Sequence, residues 1–202
     1  DDYTFYSLGQ DMAELLGKLE IKNAIAIGHS CGAVALMVGD GLAPGHIWCA
    51  FHMEPPILFR QWLPDELVNG VDPLSRQAIK RRLIWDSREQ LAEQYRGKPL
   101  FEKWQESYFQ AYIDGSSRQM PDGTVELKCS PQAEAGIYRN GLKDQTEVWE
   151  VLRGYWTPTT VLMTSPNPYV AKDSAELELI CRLIPEMSVM NLEGDSHTFP
   201  ME

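Results

Sequence analysis

The sequence predicts an α/β fold: a mostly parallel sheet with helices packed on it, interrupted by a mainly helical insertion. Three observations carry this. Short apolar strands alternate with helical stretches in both terminal parts of the chain, and such alternation implies a parallel sheet. Between residues 55 and 154 the texture becomes helical and aromatic. Residues 23–37, NAIAIGHSCGAVALM, run from an apolar strand through a serine between two glycines into a second apolar stretch. The expected division is 1–54 for the first part of the core, 55–154 for the insertion and 155–202 for the remainder of the core.

Ser7-Leu8-Gly9-Gln10 has the Ser-x-x-Gln pattern of a capping box. Leu8, Met12, Leu15, Leu16 and Leu19 follow with helical period, which predicts an amphipathic helix over 7–19. Residues 23–28 predict a strand, Ala33 to Val38 a helix apolar on all sides, and His46 to Met53 a second buried strand. In the insertion, Asp72 to Trp85 reads as a helix and Ser87-Arg88-Glu89-Gln90 caps another. Phe101, Trp104, Tyr108, Phe109 and Tyr112 line one face of a third. Pro121-Asp122-Gly123 marks a turn followed by alternating Val125 and Leu127, and Ser130-Pro131 opens a helix ending near Gly141. The strand texture returns at Thr159 to Thr164. A helix over 171–184 is halted by Pro185, and Met187 to Leu192 gives a last strand before the loop Gly194-Asp195-Ser196-His197.

Composition narrows the partners. A formal net charge of −11 argues against nucleic acid, whose phosphates need Lys and Arg. No run of about 18 apolar residues predicts a transmembrane helix. Four cysteines, at 31, 49, 129 and 181, lack zinc-site spacing and read as reduced thiols in a cytoplasmic compartment.

Gly28-x-Ser30-x-Gly32, after a strand and before a helix, is the nucleophile-elbow pattern. The serine occupies a strained turn with its hydroxyl projecting, and glycines stand two residues either side because side chains there would clash. The helix N-terminus beneath favours developing negative charge, and the Cys31 N–H would be one oxyanion donor. A serine needs a base. Of the four histidines, His29 is expected to point elsewhere on the elbow and His46 and His52 lie in or near a strand. His197 follows the last strand, the chain order the elbow pattern requires.

With GHSCG at 28–32, TTVLMT at 159–164 and GDSHTFPME at 194–202, the chain resembles the α/β-hydrolase superfamily over nearly its whole length. The segments RRLIWDSREQL, PLFEKWQ and DGTVELKCSPQAEAGIY make the insertion similar to the lid of a microbial group of lipase- and esterase-like proteins. That group includes fungal peroxisomal lipase-like and toxin-biosynthesis proteins. The resemblance implies a triad acid after the strand 159–164, but the residues there are Thr164-Ser165-Pro166-Asn167-Pro168-Tyr169, and the first carboxylate beyond is Asp173. Haloalkane-dehalogenase-like members carry the acid one strand earlier, and Phe51-His52-Met53-Glu54 resembles that arrangement. Glu54 is therefore the preferred acid. Asp195 would have to fold back on its own loop.

The resemblance implies a serine hydrolase acting on a small apolar carboxylic ester, with no metal or organic cofactor. Acyl transfer, carbon–carbon hydrolysis and a non-catalytic ligand-binding relative remain alternatives. It also implies strands upstream of the elbow, a second oxyanion donor after the third of them, and a helix after His197. The chain is expected to be a fragment of an enzyme of ~300 residues, inactive and aggregation-prone alone, its first strand an exposed edge. A peroxisomal address would depend on a C-terminal tripeptide.

Overall fold

The computed structural model describes residues 3–57, 73–141, 145–165, 180–194 and 196–202. By its contacts the chain falls into two compact units. One comprises Asp1–Asp72 and Gly136–His197, the other Pro73–Ala135 and Thr198–Glu202.

The first unit is built on a four-stranded sheet, all parallel, in the order β1 (Ala24–His29), β2 (Ile47–Met53), β6 (Thr159–Ser165), β7 (Met187–Glu193). Helix α1 (Phe5–Lys18) starts before the expected Ser7. Thr4 is its N-cap, with Oγ1 accepting from the Ser7 amide at 3.0 Å, and the Ser7 hydroxyl donates to the Thr4 carbonyl at 2.9 Å. The Ser7–Gln10 capping box therefore does not form; Thr4, one turn earlier, satisfies the same need of the orphan amides.

Helix α2 (Cys31–Leu42) joins β1 to β2 and is longer than its apolar stretch. Its Val34, Met37 and Val38 are fully buried and pack with Phe5 of α1, Val161 and Met163 of β6, and Trp149 and Leu152 of α7 (Thr146–Leu152). Ile184, ending the short described piece of the helix expected over 171–184, joins the same core. Burying such side chains stabilises by about 1.5–3 kcal/mol each. The other face of the sheet is open among the described residues: Ile25 and Ile27 are 57% and 67% exposed, and Phe51 and Met190 are exposed too. β1 is the edge of the described sheet.

Two ladder bonds reach past the strand ends. The Ser30 amide donates to the Met53 carbonyl and the Glu54 amide to the Leu162 carbonyl, both at 2.9 Å. β1, β2 and β6 thereby bring residues 30 and 54 to one end of the sheet.

The second unit holds α3 (Pro73–Ala78), α4 (Arg88–Arg96), α5 (Glu106–Ser116) and the start of α6 (Pro131–Gly141), with a small antiparallel sheet. That sheet runs β3 (Ile84–Trp85), β5 (Val125–Leu127), β4 (Ser117–Gln119). The helix expected from Asp72 to Trp85 is thus broken. α3 ends at Ala78, and the β-branched and aromatic pair Ile84-Trp85 finds strand partners at Glu126 and Val125 instead. Ser87 caps α4 as expected, its Oγ accepting from the Gln90 amide at 3.2 Å, and the Ser130 Oγ accepts from Ala133 at 3.1 Å. Trp85, Tyr95, Phe101, Phe109 and Ile113 form this unit's core. Its aromatics pack edge-on and stacked on one another rather than lining an open pocket. Trp62 lies outside the described residues, as do Leu58, Asn167, Asp173 and Asp195.

Candidate active site

The elbow begins with the β1 strand, whose tight exit demands a residue without Cβ at position 28. A Cβ on Gly28 would meet the Ala33 Cα at 2.6 Å and the His52 Nδ1 at 2.8 Å. The same reason does not hold for Gly32, where an added Cβ meets nothing within 4 Å. The clash expected on both sides exists only on the strand side, because α2 leaves the turn with its Gly32 face open. Ser30 itself stands at φ 54°, ψ −132° as N-cap of α2, a left-handed conformation that costs a non-glycine residue on the order of 1–3 kcal/mol.

Glu54 is the second strained residue here, at φ 49°, and is 1% exposed. This kink at the end of β2 turns its side chain to a polar cluster. Its Oε2 accepts from His197 Nδ1 at 2.7 Å, and its Oε1 accepts from the Thr164 amide at 2.6 Å and the Thr164 hydroxyl at 2.5 Å. Burial pushes the Glu54 carboxyl up, but the hydrogen bonds from His197 and Thr164 outweigh it and hold the group below its ordinary value. A carboxylate only accepts, so His197 Nδ1 must carry the proton there, leaving Nε2 as a base. That Nε2 lies 2.9 Å from Ser30 Oγ. Ser30, His197 and Glu54 thus form one continuous hydrogen-bonded chain, drawn from residues up to 167 apart in sequence.

His29 does not point away from the elbow. Its Nε2 lies 2.7 Å from the His197 carbonyl oxygen, and the two imidazole rings are 4.9 Å apart. Sequence reasoning also missed Thr164; the available signal was that the strand next to β2 ends in a hydroxyl residue. His46 Nδ1 meets the Ile21 carbonyl at 2.6 Å, away from the chain just described. His52 is fully buried under Gly28 with neither ring nitrogen hydrogen-bonded among the described residues, and burial pulls its pKa down to about 4. Cys31 opens α2, so its amide belongs to the first helical turn under Ser30.

Pro55 and Ile57 are buried, and Ile57 belongs to the core of the first unit. Arg81 pairs with Glu134 and donates to the Tyr95 hydroxyl, while Arg82 pairs with Asp86. None of the four cysteines is in a disulfide; three are half-buried and Cys129 is exposed. Among the described residues no group of three or more His, Cys, Asp and Glu is placed to hold a metal, and no helix is long and apolar enough to cross a membrane.

The structure superposes on that of an E-2-(acetamidomethylene)succinate hydrolase with a TM-score of 0.75 at 18% identity, covering 100% of this chain and 69% of that one. A peroxisomal α/β-hydrolase of Saccharomyces cerevisiae gives 0.74 at 15% identity, covering 98% of this chain and 55% of that one. The chain has the α/β-hydrolase fold. An esterase of M. tuberculosis agrees, with a TM-score of 0.70 at 12% identity over 98% of this chain and 64% of its own. At such identities the likeness speaks for the fold alone. No family model and no curated protein sequence matches the chain.

Proposed function

We propose that this α/β-hydrolase-fold chain is a serine hydrolase that cleaves a carboxylic ester through an acyl-enzyme. The observation that carries the reading is the unbroken run Ser30 Oγ, His197 Nε2, His197 Nδ1, Glu54 Oε2, with contacts of 2.9 and 2.7 Å. Ser30 attacks the carbonyl carbon as His197 takes its proton, and His197 returns that proton to the leaving alcohol. Glu54, held ionised by Thr164, stabilises the imidazolium formed in between and keeps Nδ1 as the protonated nitrogen. The Cys31 amide, with the α2 N-terminus behind it, receives the developing oxyanion. Water then repeats the sequence on the acyl-enzyme. Met53, half-buried and next to Glu54 in sequence, favours an apolar ester.

The rival reading, a ligand-binding relative without turnover, drew on the lack of a carboxylate at 165–169. A carboxylate already bonded to His197 supplies what that reading took to be absent. The deciding experiment is covalent labelling of the full-length protein with a fluorophosphonate probe. Wild type should label and Ser30→Ala should not. An unlabelled wild type, or a Ser30→Ala variant that labels equally, would overturn the proposal.

A further inference from the structure

We propose that His29 is a positioning residue for the base: its Nε2–H donates to the main-chain carbonyl of His197 and so fixes where the His197 imidazole hangs between Ser30 and Glu54. The inference rests on the hydrolase reading above and adds to it a residue outside the Ser30–His197–Glu54 chain.

The donor is mounted rigidly. His29 is the last residue of β1 and is registered opposite Met53 of β2, so its backbone belongs to the sheet ladder. The acceptor lies outside the sheet ladder. His197 sits in a loop beyond β7, after Gly194 at φ 154°, a backbone conformation that glycine adopts without strain. A bond of 2.7 Å across 168 residues ties the second to the first. Only a donor suits this place, because a main-chain carbonyl offers nothing but lone pairs. A site held by ladder-fixed donors keeps its groups within the fraction of an ångström that in-line proton transfer requires.

The chemistry of the donor fits the position. Burial keeps His29 below its ordinary pKa, against the pull of its bond to the His197 carbonyl, so it stays neutral around pH 7. With ring centroids 4.9 Å apart, a charged His29 would oppose the imidazolium that His197 becomes when it takes the Ser30 proton. A neutral N–H positions the base without that opposition. Lysine or arginine at residue 29 could donate the same bond but would carry the charge.

The test compares His29→Leu with His29→Gln, which retains an N–H donor at similar reach. The readout is fluorophosphonate labelling over a range of probe concentrations. His29→Leu should lower the limiting labelling rate about tenfold, the value of one net hydrogen bond. Its half-saturating probe concentration should stay unchanged, since the tether acts on the base and not on binding. His29→Gln should restore most of the rate. Should His29→Leu melt early, His29→Phe, which keeps a ring without a donor, carries the same expectation. His29→Gln as slow as His29→Leu, or His29→Leu as fast as wild type while Ser30→Ala is silent, overturns the tether alone. Labelling that survives in Ser30→Ala takes down the hydrolase reading and the tether with it.

Discussion

Among the described residues each unit of the chain shows a sheltered acid–base pair, and the two pairs differ in kind. In the first unit Glu54 meets His197; the acid is 1% and the imidazole 29% exposed. In the second, Glu134 meets Arg81, with side-chain exposures of 21% and 17%. Arg81 spends two further donors on the Tyr95 hydroxyl, at 2.6 and 3.1 Å, and its ring contact is with the same tyrosine. A guanidinium never gives up its proton near neutral pH, and through Glu134 and Tyr95 it ties α6 and α4 to the turn after α3. His197 can gain a proton on the nitrogen that faces Ser30, and two residues of that network, Ser30 and Glu54, sit in strained backbone conformations. Burial and a short ion pair therefore do not distinguish a working site from a structural clasp. What sets the first pair apart is a third group, Ser30, in line with it and backbone strain at both ends of that line.

The largest expected effect breaks this contrast on the side of the site. Glu54→Gln should slow fluorophosphonate labelling by about 10³–10⁴-fold, the scale seen when a triad acid is neutralised in place. Retention of the wild-type rate would put Glu54 with the structural clasps.

A second test uses a buried group that has no hydrogen-bond partner among the described residues. His52 shares the burial of Glu54 without its hydrogen bonds, and burial holds its folded pKa at about 4, below the ordinary 6.5 of a histidine. Between those values the unfolded chain binds a proton that the folded one refuses, so stability rises with pH there and levels below about 4. The swing should be roughly 3 kcal/mol in urea melts across that window, and His52→Leu should flatten it. Glu54, held below its ordinary 4.5, gives up its own contribution only as pH falls beneath that value. An unchanged pH slope in His52→Leu would remove His52 as its source. The smallest effect belongs to the clasp: Glu134→Gln should cost about 2 kcal/mol of stability in a denaturant melt and leave the labelling rate alone.

The parallel core was legible in the sequence because its strands are short apolar runs bounded by turns, and because Gly28 has only one use between a strand and a helix. β1, α2, β2, β6 and β7 all fall where periodicity puts them, give or take one or two residues at most ends. The region from 73 to 135 was read less well. Ile84-Trp85 has no length from which a strand can be read, and its pairing with Val125-Glu126 is a long-range choice made by burial of Trp85. α1 shows the local version of that failure: Thr4 and Ser7 both suit an N-cap, and only packing of Phe5 decides between them. In the candidate site, Ser30 and His197 were singled out by the elbow pattern and chain order, and Glu54 by resemblance to members that carry an acid at that strand end. Thr164 and His29 were not, since each is hydrogen-bonded to a residue more than a hundred positions away, Thr164 twice to Glu54 and His29 once to His197.

The placement of Glu54 on a strand rather than in a loop has a consequence for how this chain tolerates change in length. The gap from Ser30 to Glu54 is counted in rungs, because Ser30 hangs from Met53 and Glu54 from Leu162. One residue inserted within 47–53 would shift the carboxylate by about 3.3 Å and turn it to the opposite face. The connection at 43–46 can grow or shrink while the spacing of those two groups stays as the sheet dictates.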